Sequence, residues 1–97
     1  MKDIRYSRLF DIYSSLLTDN QREIFELYYA FDLSLSEIAE QKGVTRQSVA
    51  DALKKTRAEL NALENKLFLL EKFTAIGAVA EKLGGAAGLE LNEILKK

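Results

Sequence analysis

Residues 33–60 read LSLSEIAEQKGVTRQSVADALKKTRAEL, and the order of residue types in this stretch decides the fold. A helix-turn-helix needs a small residue where its helices cross, a turn-tolerant residue between them, and apolar residues that fix their angle. Ala39 supplies the first and Gly43 the second, while Ile38, Val44, Val49 and Leu53 are the expected wedge. Ser34 followed by Glu37 is a capping-box pattern, which opens a short helix near residues 35–42. Gly43 suits the left-handed conformation that ends such a helix. Thr45 can then cap the next one by accepting from the backbone N–H of Gln47 or Ser48. Lys42 departs from the pattern, because an apolar side chain usually stands just before the glycine. Its stem is expected to lie along the core while its ammonium reaches water.

Downstream, Val49, Leu53, Thr56, Leu60, Leu63, Leu67 and Leu70 recur at alternating steps of four and three. This is a heptad seam, the pattern of a helix packed along a partner helix. No glycine interrupts it before Gly77. The spacing predicts one helix over about residues 46–76, roughly 45 Å long at ~1.5 Å per residue. Its second half leaves Leu63, Leu67, Phe68, Leu70 and Phe73 in need of cover. We take Leu60, Leu63, Leu67 and Leu70 as the expected seam of a homodimer. The first helix, or the folded-back tail of the same chain, is the alternative cover.

Upstream, Leu9, Ile12, Tyr13, Leu16 and Leu17 give a first helix over about residues 2–17 one buried face. Thr18 with Gln21 is a second capping box and starts a helix bearing Ile24, Phe25, Leu27, Tyr28 and Phe31. That aromatic-rich face reads as core, not as a stacking platform for bases. Near the end, Gly84-Gly85 and Gly88 break up the tail, and LELNEILKK (89–97) predicts a short final helix. Its terminal lysines suit the negative end of that helix. The expected fold is therefore all-α: a wingless helix-turn-helix domain over residues 1–62 and a helical extension over 63–97.

Composition narrows the function. Hydrophobic residues are 47% and charged residues 30%, as in an ordinary globular domain, and proline is absent. Neither cysteine nor histidine occurs, which excludes a thiolate or imidazole zinc site and removes the commonest general base. No phosphate-binding glycine loop is present, so an enzyme is not expected, and neither a metal nor a cofactor. The opening MKDIRYSRLFDIY lacks the apolar centre of a signal peptide. The stretch FTAIGAVAEKLGGAAGL (73–89) is too short and interrupted to cross a bilayer. A cytoplasmic protein without membrane insertion is the expectation.

The formal net charge is −1, but it is unevenly spread. Residues 1–43 carry five basic and eight acidic side chains, whereas residues 44–72 carry six basic and four acidic. A local positive patch thus sits on the second helix of the motif. At 100° per residue, Val49, Ala52, Leu53 and Thr56 share that helix's buried face, and Gln47, Asp51 and Lys54 point away from it. In a major groove, Gln47 could pair with adenine and Asp51 accept from a cytosine amino group. Thr45, Arg46, Lys54 and Lys55 are better placed for phosphates, with Ser48 on the flank. The alternative is a solvated face of mixed charge, and Asp51 is its best argument.

The run LTDNQREIFELYYAFDLSLSEIAEQKGVTRQSV (17–49) resembles region four of bacterial sigma factors. With LYY, DLSLSEIAE, GVTRQSV and the following ENKLFLLEKF, it is closer still to the YlxM family of small bacterial helix-turn-helix proteins, over about residues 9–73. The resemblance implies an all-helical regulator that binds double-stranded DNA. It also implies, through gene neighbourhood, a connection to the signal recognition particle pathway. The alternative under the same resemblance is a non-enzymatic adaptor for a protein or RNA component of that particle. Residues 74–97, with their glycines, depart from the charged helical tail expected of the family.

Overall fold

The computed structural model describes residues 3–95, all helix and connection without a strand among them. The elements are α1 (Ile4–Tyr13), a 3₁₀ turn (Ser14–Leu16), α2 (Asp19–Tyr29), α3 (Leu35–Lys42), α4 (Arg46–Leu67), α5 (Leu69–Leu83) and α6 (Gly85–Leu95). The chain divides into two compact units between Lys66 and Leu67. The expected all-α class is the class observed, with α3 and α4 forming the helix-turn-helix.

The local hydrogen bonds read from the sequence start the helices of the first unit. Thr18 Oγ1 accepts from the Gln21 N–H at 3.2 Å, and Gln21 Oε1 accepts from the Thr18 N–H at 3.0 Å. Ser34 and Glu37 make the same reciprocal pair at 3.1 and 3.0 Å. Each box satisfies two amides that the helix itself cannot. Arg22 fastens the entry to α2, donating to the carbonyls of Ser14 and Leu17 at 3.2 and 3.0 Å and pairing with Asp19.

The core of this unit takes one face from each of its helices. Leu9 and Tyr13 come from α1, Ile24 and Phe25 from α2, Ile38 and Ala39 from α3, and Val49, Leu53 and Leu60 from α4. Each large apolar side chain buried there contributes about 1.5–3 kcal/mol. Phe25 is stacked on both sides, with ring centroids 4.7 Å from Phe10 and 4.2 Å from Tyr29. The aromatic face of α2 is therefore mostly core, but Phe31 is not. It lies beyond the last turn of α2 and is 64% exposed.

Polar ties run from α1 and α2 to the distal half of α4. Tyr13 donates to Glu64 Oε1 at 2.7 Å, with both side chains buried. Asn61 donates to the Tyr6 hydroxyl at 3.0 Å, and Gln21 Nε2 to Glu59 Oε2 at 3.2 Å. These contacts carry the first unit to Lys66, past the boundary at residue 62 expected from the sequence.

The predicted 46–76 helix is two helices. Phe68 adopts a left-handed conformation, φ 54° and ψ 31°, between the end of α4 and the start of α5. The heptad run therefore does not form one continuous seam. Leu60 is wholly buried within its own unit, so it is unavailable to a partner chain. Leu63 and Leu70 are half-buried, Leu67 is exposed, and Leu70 stands on the far side of the break.

In the second unit, Gly84 and Gly85 turn the chain with positive φ values of 58° and 54°. Gly77 does not interrupt α5, and Gly88 does not interrupt α6. Gly88 is instead a close contact, since a Cβ there would stand 2.4 Å from the carbonyl oxygen of Ala80. Such a distance forces backbone to move, and overpacking of this kind costs about 1–3 kcal/mol. Gly88→Ala is expected to speed amide hydrogen exchange across residues 85–94 at least several-fold, leaving residues 46–60 unchanged. Unchanged exchange in α6 would mean that the contact does not hold the hairpin. Lys96 and Lys97, expected at the negative end of the last helix, lie outside the described residues.

Candidate nucleic-acid interface

The geometry of the motif is set at the turn, residues 43–45. Gly43 has φ 68° and ψ 34° and closes α3 with two bonds: its own N–H to the Glu40 carbonyl at 3.3 Å and the Val44 N–H to the Ala39 carbonyl at 3.0 Å. This pair of bonds is the Schellman arrangement, which takes up carbonyls that a helix end would leave unmade. Thr45 Oγ1 then accepts from the Ser48 N–H at 3.0 Å, capping α4 as its position predicts. Three residues thus separate the two helices, and both ends of the turn are fixed by hydrogen bonds.

Two residues at the motif behave differently from the expectation. Val44, assigned to the wedge, is 43% exposed, whereas Ile38, Val49 and Leu53 are buried as expected. The backbone bond that draws the Val44 amide towards α3 leaves its side chain at the solvent side of the turn, beside Thr45. Lys42 does not end in water: its ammonium lies 2.8 Å from the Glu23 carboxylate of α2, with the lysine side chain 15% exposed. The lysine that replaces an apolar residue therefore pins α3 to α2.

Burial of Val49, Leu53 and Thr56 fixes the rotation of α4 about its axis. Thr56 returns its hydroxyl to the Ala52 carbonyl at 2.8 Å, so its polar atom is satisfied on the buried side. The opposite side carries Gln47, Ser48, Asp51, Lys54 and Lys55, all exposed, and Thr45 and Arg46 are exposed at the N-terminal end. All seven residues singled out from the sequence fall on solvent-facing positions of one helix start. Arg57 does not join them: it is half-buried and donates to the Tyr29 hydroxyl at 3.4 Å. Within the face, Gln47 Nε2 donates to Asp51 Oδ1 at 2.9 Å. That bond was not anticipated, although i,i+4 spacing on a helix permits it.

Among the described residues, no group of three or more acidic side chains is arranged to hold a metal ion. A cavity of about 330 Å³ is lined by α1 and α2 residues together with Ala30, including Phe10, Asp11, Phe25, Glu26 and Tyr29, with nothing from α3 or α4. Among the described residues, no helix is long and apolar enough to cross a membrane.

A capped α3, a three-residue turn and a rotationally fixed α4 make this a helix-turn-helix protein. The chain belongs to the UPF0122 family, described as "Putative helix-turn-helix protein, YlxM / p13 like", which it matches over residues 1–95. It is 50% identical over 82 residues to a UPF0122 protein of Bacillus thuringiensis (strain Al Hakam), covering 84% of this chain and 74% of that one. A UPF0122 protein of Halalkalibacterium halodurans is 48% identical over 82 residues, covering 84% of this chain and 75% of the relative.

Proposed function

We propose that this chain is a DNA-binding regulatory protein that reads duplex DNA with the first turns of α4 and acts as a homodimer. The observation that carries this reading is the exposed face of Thr45, Arg46, Gln47, Ser48, Asp51, Lys54 and Lys55 on the second helix of the motif. In a dimer, two such faces would meet successive half-sites about 34 Å apart. Arg46, Lys54, Lys55 and the Thr45 hydroxyl serve phosphates, while Gln47 and Asp51 serve base edges. Val44, exposed beside them, adds an apolar group suited to a thymine methyl.

Fluorescence anisotropy of labelled random duplex DNA tests this reading. With about three or four phosphates neutralised, the logarithmic salt slope should be near −3. Arg46→Ala and Lys54→Ala should each reduce that slope by about one and weaken binding uniformly across sequences. Both side chains are exposed, so the fold should be retained. Unchanged binding in both variants would remove this face from consideration.

A second reading is an adaptor that binds a protein or RNA component of the signal recognition particle. Exposed Glu37 and Glu40 on α3 and the net charge of −1 favour it, since both disfavour tight non-specific DNA binding. Gene neighbourhood, brought in by the family resemblance, is the ground for naming that particle. A preference for structured RNA over duplex DNA in the same titration would select this reading.

A further inference from the structure

The cavity between α1 and α2 takes no residue from α3 or α4, and we infer that it receives the guanidinium of an arginine presented by a segment of a partner protein. Two helices line it with the same spacing. Ser7, Phe10 and Asp11 of α1 stand at i, i+3 and i+4, and so do Glu26, Tyr29 and Ala30 at the end of α2. Each trio therefore falls within about 100° of helix surface. Phe25 is wholly buried and forms the floor between them.

The wall is aromatic. Phe10, Phe25 and Tyr29 form one stack, with centroids 4.7 and 4.2 Å apart, and the two outer rings are only half-buried. Beside the rings stand two exposed carboxylates, Asp11 and Glu26. Among the described residues, neither carboxylate has an ion-pair or hydrogen-bond partner, and no basic residue lines the cavity. Arg57 of α4 reaches the Tyr29 hydroxyl at 3.4 Å but is not part of the lining, and neither is Arg8 on α1.

Aromatic faces with two anions and no cation are complementary to a flat positive group. A ring face attracts a cation placed over it. A guanidinium stacks on rings, is weakly hydrated and offers paired N–H donors to carboxylates, whereas an ammonium is a strongly hydrated point charge. The Ser7 hydroxyl is a further acceptor. The volume, about 330 Å³, lies at the lower end of the range for small-ligand sites, about 300–1,000 Å³, and has room for one inserted side chain. Free arginine fits less well, because its α-carboxylate would meet acidic walls with no cation to receive it. A peptide carries no such charge, and apolar groups stand next to the lining residues to meet it. Ile4, one turn before Ser7 on the same stripe of α1, is 67% exposed, and Phe31, next after Ala30, is 64% exposed. The inference does not rest on the DNA-binding reading.

The test titrates the isotope-labelled full-length chain, without nucleic acid, with acetyl-Leu-Gly-Arg-Gly-Leu-amide and follows backbone amide shifts by NMR. Saturable shifts centred on residues 7–11 and 25–31 are expected, with a Kd below about 1 mM. Lysine in place of the arginine should weaken binding at least about threefold, and citrulline, its uncharged isostere, at least about tenfold. Acetyl-arginine amide alone should bind at least about threefold more weakly than the pentapeptide. Asp11→Asn combined with Glu26→Gln should weaken the arginine peptide about tenfold while the amide spectrum of α3 and α4 stays as in the parent, since both side chains are exposed. No saturation near about 1 mM, shifts centred on α3 or α4, or equal binding of the lysine or citrulline peptide would each overturn the assignment. So would acetyl-arginine amide binding as tightly as the pentapeptide, or an unchanged affinity in the double variant.

Discussion

Val49→Asp is expected to unfold the helix-turn-helix unit, with the cooperative urea transition lost or shifted to the lowest concentrations. Val49 has no solvent exposure and packs in the core to which Phe25, Ile38, Leu53 and Leu60 also belong. A carboxylate placed there has neither water nor an opposite charge built to receive it. Breaking a buried pair so that one charge stands alone costs about 3–5 kcal/mol, and an unpaired newcomer is in the same position. At about 0.05–0.15 kcal/mol per residue, a unit of this size holds only several kcal/mol in total. The penalty is therefore comparable with the whole stability. Lys54→Ala, five positions along α4 but exposed, should stay within about 0.5 kcal/mol of the parent. A Val49→Asp chain with a parental midpoint would mean that α4 is not seated by this residue.

The second large effect is expected at the other end of α4. Tyr13→Phe removes the hydroxyl that donates to Glu64 Oε1 at 2.7 Å, across 51 residues of sequence. Both residues are buried, so the carboxylate loses a donor that water cannot readily replace. Hydrogen bonds to charged groups contribute about 1.5–3 kcal/mol, and stripping one partner exacts the desolvation cost of the other. A fall of roughly 5–15 °C in Tm is expected for a domain of this size. Replacing both residues, Tyr13→Phe with Glu64→Met, should cost less than the two single changes added together, because both ends of this bond are then removed at once. A loss below about 0.5 kcal/mol for Tyr13→Phe, or strict additivity, would show that the bond does not couple α1 to α4.

The parts of the fold legible in the sequence are those that local hydrogen bonding decides. Thr18 with Gln21, Ser34 with Glu37, Gly43 and Thr45 each act within a few residues of themselves, and all four devices are present as read. The orientation of the exposed face of α4 was legible for a related reason. Once Val49, Leu53 and Thr56 are inside, helix geometry leaves Gln47, Asp51 and Lys54 outside.

Interactions across the chain were hidden. Nothing near Lys42 announces Glu23 nineteen positions earlier, and Tyr13 gives no sign of Glu64. Val44 and Phe31 lie in connections, where apolar character does not fix a direction because no periodicity applies. The break at Phe68 had no glycine or proline to mark it, and the leucine repeat runs across it undisturbed. Gly88 misled in the opposite sense. A glycine in a helix reads as a weak point, but here its missing side chain is what lets two backbones meet.

The Gln47–Asp51 hydrogen bond bears on how such a protein would search, on the proposed reading. While it is closed, one Gln47 N–H and one Asp51 oxygen are engaged with each other and are withheld from a wrong base. The helix would then travel along a duplex held by phosphates alone, meeting few sticky stops. At a step presenting adenine beside cytosine, both groups could change partners at once, so recognition there would be an exchange of bonds with none left idle.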